Sequence, residues 1–217
     1  MRLDTDIRRD VQNELHWDPS LDERAIGVNV KDGIVTLVGQ VPHFADRWAA
    51  EDIAKRVSGV CAIANDIEVK MPTTNEKSDT DIAEAAVNAL KWNVCLGRSD
   101  IKAIVRQGYV TLNGQVEFQY QKSAAENTVR YLLGVKGVVN DIVIKPSIKM
   151  IDVKQKIEAA FQRQAELDAK EIKVTIDDGQ ITLHGQVHSW REKDDAARAA
   201  WGAPGVKKVE NKLQVSY

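Results

Sequence analysis

Cysteine is nearly absent. The 217 residues include two, Cys61 and Cys95. That is too few for a disulfide framework, and no CxxC spacing suggests a zinc or redox site. Proline is sparse at 5 residues, and aromatics make up 6% of the chain. No apolar run approaches the roughly 18 residues of a transmembrane helix. The opening Met-Arg-Leu-Asp-Thr-Asp has no apolar h-region. No secretory signal peptide is legible, so the expected compartment is the cytoplasm. A surplus of one charge is also missing: 30 Lys and Arg face 32 Asp and Glu, a formal net of −2. A general polyanion binder carries a basic surplus, so nucleic acid is not an expected partner. With 43% hydrophobic and 29% charged residues, the composition is that of ordinary globular domains.

What the chain does have is internal repetition. The run Asp32-Gly33-Ile34-Val35-Thr36-Leu37-Val38-Gly39-Gln40-Val41 returns as Gln107-Gly108-Tyr109-Val110-Thr111-Leu112-Asn113-Gly114-Gln115-Val116. It returns again as Asp178-Gly179-Gln180-Ile181-Thr182-Leu183-His184-Gly185-Gln186-Val187. The same two offsets align Ile26 with Ile101 and Ile172, Gly59-Val60 with Gly134-Val135 and Gly205-Val206, and Asn65 with Asn140 and Asn211. The chain therefore holds three copies of one unit, predicted at 1–71, 79–146 and 148–217. Polar, Pro-containing links at 71–78 and 146–149 separate them.

Periodicity predicts the elements of the unit. Ile7, Val11 and Leu15 form one stripe of an amphipathic helix, with Asp4-Thr5-Asp6 as cap candidates. Ile82, Ala86 and Leu90 repeat the stripe, as do Val153, Ile157 and Phe161. Ile26, Val28 and Val30 alternate as a half-buried strand. Asp32-Gly33 signals a type I′ hairpin, and Val35 and Leu37 lie on the return strand. Gly39, Gly114 and Gly185 are expected to end that strand. A second helix presents Ala45, Ala49, Ile53 and Val57, and Gly59 stops it. Ile63, Asn65, Ile67 and Val69 share a face of the last strand. The predicted fold class is α+β: three tandem αββαβ units, each a three-stranded sheet with two helices on one face.

The motif Gly108-x-Val110-Thr111-Leu112-x-Gly114-x-Val116, an Ala-rich helix, and the tail Gly134-Val135-Lys136-Gly137-Val138-Val139-Asn140-Asp141 together resemble the BON domain. The resemblance covers essentially the whole chain, three times. It implies an αββαβ fold without catalysis. It also implies modules that work at lipid surfaces or maintain the envelope: hyperosmotically induced periplasmic proteins, outer-membrane lipoproteins and secretin accessory domains. Some cytoplasmic relatives are linked to potassium. The sequence shows no lipobox cysteine and no peptidoglycan-binding appendage. The periplasm is the alternative compartment that the resemblance carries.

Candidate sites follow from residue chemistry. The shared positions named above are Gly, Val, Ile, Leu, Thr, Gln and Asn. None is a strong nucleophile or general base, so no catalytic set and no cofactor is expected. His16, His43, His184 and His188 share no repeat position, and no metal site is expected. Gly134-x-x-Gly137 spells the KH clamp, but it joins a helix to a strand rather than two helices. It reads as a structural C-cap. Thr36, Thr111 and Thr182 face outward between inward residues. Gln40, Gln115 and Gln186 read as turn-closing.

Asn65, Asn140 and Asn211 sit on an apolar face, where a buried amide must find partners. They read either as backbone-bonding residues or as ligand or ion coordinators. Trp17 and Trp92 are equivalent and are expected to pack structurally. Trp190 and Trp201, with Lys193, Arg198, Lys207 and Lys208 nearby, have the chemistry of an interfacial lipid contact. Units 1 to 3 carry net charges of −4, +1 and +1, so the copies are not expected to share one electrostatic partner. The expected partners are a phospholipid surface or a protein under envelope or osmotic stress. The alternatives are a cytoplasmic solute or potassium-type ion binder, and a homo-oligomeric, transport-associated scaffold.

Overall fold

A computed structural model describes residues 2–72, 77–97, 99–146, 157, 160, 172–177, 179–203 and 205–215. Unit 1 comprises α1 (Asp4–Trp17), β1 (Ile26–Lys31), β2 (Ile34–Val41), α2 (Phe44–Arg56) and β3 (Ala62–Val69). Unit 2 comprises α3 (Asp79–Trp92), β4 (Ile101–Arg106), β5 (Tyr109–Val116), α4 (Gln119–Arg130) and β6 (Gly137–Ile144). Unit 3 comprises β7 (Ile172–Asp177), β8 (Gln180–Val187), α5 (Trp190–Trp201) and β9 (Lys208–Val215). Ahead of it, Ile157 and residue 160 are helical, and Ile157 is buried. Val153 and Phe161 of the predicted stripe lie outside the described residues, as do 73–76 and 147–149 of the predicted links.

Each sheet has three strands, with the second strand in the middle. The first pair is an antiparallel hairpin and the second pair is parallel. A parallel partner cannot be reached through a tight turn. The second helix supplies that crossover and lands on the sheet face it bridges. In unit 1 the core is Ile7, Val11 and Leu15 of α1, Val35, Leu37 and Val41 of β2, Ile53 and Ala54 of α2, and Ile67 of β3. Units 2 and 3 repeat this set around Leu112 and Leu183. In units 1 and 2 both helices therefore cover one face of the sheet, as the alternation predicts. The hairpin turn is the predicted one: Asp32 and Gly33 have φ of 53° and 73°, and Gln107 and Gly108 of 52° and 82°.

Three local readings are corrected. Gly39 does not end its strand; β2 continues to Val41 with Gly39 paired to Ile26. Its φ is +146°, and a Cβ there would stand 1.9 Å from the Ala25 carbonyl oxygen. Glycine is needed for close backbone approach inside the sheet, not for a turn. The buried face of α2 is Ala50, Ile53 and Ala54, with Val57 just beyond, while Ala45 and Ala49 are only half-buried. Asp4 does not cap its own helix. Its carboxylate accepts from the turn amides of Asp32 (2.8 Å) and Gly33 (2.9 Å). Asp79 does the same for Gln107 and Gly108 at 2.8 and 2.9 Å. The first helix is thus pinned to the hairpin tip.

One repeat position joins neighbouring units. Phe44, at the start of α2, packs on the core of unit 2. Its equivalent in unit 3, Trp190, packs on the core of unit 1, and its indole N–H donates to the Cys61 carbonyl at 3.0 Å. The next turn behaves alike. Trp48 of α2 lies under the Arg130 guanidinium of unit 2, 3.9 Å from the ring centre. Its counterpart Asp194 feels Lys55 of unit 1, and Lys55 is the counterpart of Arg130. Unit 3 therefore meets unit 1 as unit 1 meets unit 2, through the same two positions of the second helix.

Candidate functional site

The repeated asparagines come first, because all three are placed alike. Asn65 Nδ2 donates to the Arg47 carbonyl (3.2 Å) and to Glu51 Oε2 (3.1 Å). Its Oδ1 accepts from the Ile67 amide at 3.3 Å. Asn140 repeats this with Lys122, Glu126 and Ile142 at 2.9, 3.1 and 3.4 Å. Asn211 donates to the Lys193 carbonyl at 2.8 Å and accepts from Leu213 at 3.2 Å. Each amide bridges the second helix to the last strand, and its carbonyl oxygen already holds a backbone N–H.

A second group of the same clamp escaped the sequence reading. Arg47 donates to the Asn65 carbonyl (3.0 Å), Lys122 to the Ile142 carbonyl (2.8 Å) and Lys193 to the Leu213 carbonyl (2.7 Å). These three cations share one repeat position. That alignment was the available signal, but charge on a helix ordinarily reads as a solvated face. Glu51 completes the clamp in unit 1. Burial works to raise its pKa, but hydrogen bonds from Lys55 and Asn65 outweigh burial and hold the carboxyl below its ordinary range.

The third-unit aromatic and basic residues do not gather into one open face. Trp190 is half-buried against unit 1. Trp201 is half-buried on its own core. Lys193 is drawn to the Leu213 carbonyl, and its ammonium lies 4.9 Å from the centre of the Trp190 ring. Arg198 pairs with Asp195 at 2.8 Å. Lys207 and Lys208 are exposed at the entrance to β9.

Trp17 and Trp92 overturn their expectation. They are 84% and 86% exposed at the C-terminal ends of α1 and α3. The burial stripe of each helix ends at Leu15 and Leu90, and a residue two positions on lies about 200° around the axis. That rotation turns both indoles away from the core. Val94, two residues beyond Trp92, is 93% exposed. The third copy has Arg163 at the equivalent position, outside the described residues.

His184 and His188 are exposed, as is Cys95. Gln40, Gln115 and Gln186 do not close a turn; they lie exposed within the middle strand of each sheet. Among the described residues, no group of three or more His, Cys, Asp or Glu is placed to hold a metal. No described helix is long and apolar enough to cross a membrane.

Comparison with known proteins agrees with the geometry of the unit. The family model of the BON domain matches residues 3–71, 78–146 and 152–217. Osmotically-inducible protein Y of Escherichia coli (strain K12) is 28% identical over 124 residues, 55% of this chain and 62% of that protein. The 21 kDa hemolysin of Actinobacillus pleuropneumoniae is 30% identical over 135 residues, 61% of this chain and 69% of that protein. The match thus spans a little under two thirds of the first relative and a little over two thirds of the second. Among solved structures, CdsD, a structural protein of the Type III secretion system of Chlamydia trachomatis, aligns over 97% of this chain and 92% of its own. The identity is 12% and the TM-score 0.26, too low to bear on how the units are arranged.

Proposed function

The chain belongs to the BON domain family, and on that premise we propose that it is a non-enzymatic binding protein that docks on phospholipid surfaces under envelope or osmotic stress. The observation that carries this reading is the exposed indole pair, Trp17 and Trp92. An aromatic side chain of this kind carries about 150–250 Å² of surface. At roughly 25 cal/mol per Å², covering two of them is worth several kcal/mol. Indoles favour the headgroup level of a bilayer, where an apolar body and a polar N–H are both accommodated. Lys91 precedes Trp92 and Val94 follows it, so this loop offers a cation and two apolar anchors together. The stress setting is carried over from the name of the osmotically-inducible relative.

Co-sedimentation with vesicles tests the reading. The full chain is expected to pellet with phosphatidylglycerol vesicles and to shift its tryptophan emission to the blue. The double variant Trp17→Ala, Trp92→Ala is expected to lose at least tenfold in apparent affinity while keeping its far-ultraviolet circular dichroism. A wild-type chain that binds neither anionic nor zwitterionic vesicles overturns the proposal. A double variant that binds as tightly as wild type removes the indoles from it. Fractionation of tagged protein then decides which compartment supplies the surface.

A further inference from the structure

The junction of units 1 and 3 contains a cleft of about 540 Å³, lined by Arg56 of α2 and by His188, Ser189, Arg191 and Glu192 at the start of α5. Two exposed arginines from two separate units line this space. Their acidic neighbours are Asp195, Glu192 and Asp18. Arg191 gives its Nε–H to Asp195 at 3.1 Å, which leaves the forked end of the guanidinium for other acceptors. Asp195 is buried and also holds Arg198. Glu192 is buried and its carboxylate accepts the His188 backbone N–H at 2.6 Å. Arg56 forms no hydrogen bond or ion pair with any described residue and acts on Asp18 through space.

The repeat supplies an internal control. At the junction of units 1 and 2, the positions of His188, Arg191 and Arg56 are occupied by Pro42, Ala45 and Tyr131. That junction uses the same two helix positions and contains no guanidinium there. Neither Arg56 nor Arg191 is therefore needed to hold two units together. Two like charges brought to one cleft repel each other, and an anion between them reverses that term. Arginine's planar fork matches the oxygens of a phosphate group in bidentate fashion. The cleft is large against the roughly 30 Å³ that one water occupies in the liquid, so it admits a phosphate with a small organic substituent.

We propose that this cleft is a binding site for a phosphate monoester or diester anion, held by Arg56 from unit 1 and Arg191 from unit 3, with His188 at its rim. The site lies on different elements from the exposed indoles: α2 and α5 carry it, whereas Trp17 and Trp92 end α1 and α3. Its occupancy would tie unit 3 to unit 1, since the two principal ligands come from both.

The test uses the full chain. Thermal unfolding is followed with increasing inorganic phosphate and glycerol phosphate, against sodium chloride at equal ionic strength. A ligand that binds only the folded state raises the midpoint, by about 5 °C or more at a hundredfold excess over Kd. The variants Arg56→Gln and Arg191→Gln are each expected to weaken the response at least tenfold in phosphate concentration, and the pair to abolish it. Arg191→Lys keeps the charge without the fork and serves if the glutamine variants fold poorly; it too is expected to respond weakly. Trp17→Ala, Trp92→Ala is expected to respond like wild type. A response to free phosphate assigns a soluble ligand. Vesicle binding that needs both arginines, with no response to free phosphate, assigns a lipid headgroup. No response in either arm, or equal responses in wild type and the arginine pair, overturns the proposal.

Discussion

At the scale of single residues, the asparagine clamp shows why an amide recurs on an otherwise apolar strand face. Asn140 satisfies the Lys122 carbonyl, Glu126 and the Ile142 amide at once. Asn140→Ala leaves these groups without their partner and is expected to destabilise unit 2 by about 1–3 kcal/mol, read as a lower urea midpoint. Asn140→Asp is the sharper probe. It keeps the shape but turns a donor into a carboxylate facing a carbonyl and another carboxylate. At neutral pH it is expected to be more damaging than alanine, and to recover as acid protonates it. The amide's position was legible from the repeat; its partners were not. Arg47, Lys122 and Lys193 were invisible as clamp residues because a long cation folded back onto a strand carbonyl has the same sequence signature as one in water.

At the scale of elements, glycines that look alike in sequence serve different ends. Gly39 lets β2 pass against the Ala25 carbonyl, where a Cβ would stand 1.9 Å away. Gly97 has φ of +55° with nothing within 4 Å of a built Cβ. Gly97→Ala is therefore expected to lose only the left-handed backbone term of about 1–2 kcal/mol. Gly39→Ala adds a backbone collision and is expected to lose more, with strand β1 losing hydrogen-exchange protection. Paired urea titrations of the two variants check the order. The sequence located helix and strand cores well, because period and burial are tied by covalent geometry. It misread strand ends and the α2 face, because close backbone approach and helix rotation depend on what lies opposite.

At the scale of the whole molecule, the junction of units 1 and 3 also carries a pH dependence. Asp194 keeps an open side, yet its carboxyl is held above its ordinary value of 3.8, first by desolvation. Lys55 and Arg198 act against that shift, while Asp52 and Asp195 reinforce it. An acid whose pKa is raised on folding binds its proton more tightly in the folded state. Its charged form therefore weakens folding at neutral pH, and the penalty is lifted as pH falls through the raised value. Asp194→Asn is expected to unfold at higher urea than wild type at pH 7. The two midpoints should converge below 3.8, where the wild-type carboxyl is protonated in both states. The sequence by itself determined the threefold repeat, the αββαβ order, the type I′ hairpins and the core stripes. All of these rest on local periodicity and turn chemistry, which each unit carries within its own 70 or so residues. Only the tertiary structure decided that Trp190 seals unit 3 onto unit 1, that Trp17 and Trp92 stand in solvent, and that Arg56 and Arg191 share a cleft. Those outcomes depend on how units dock and how far a helix turns before its stripe ends, and no short-range pattern encodes either.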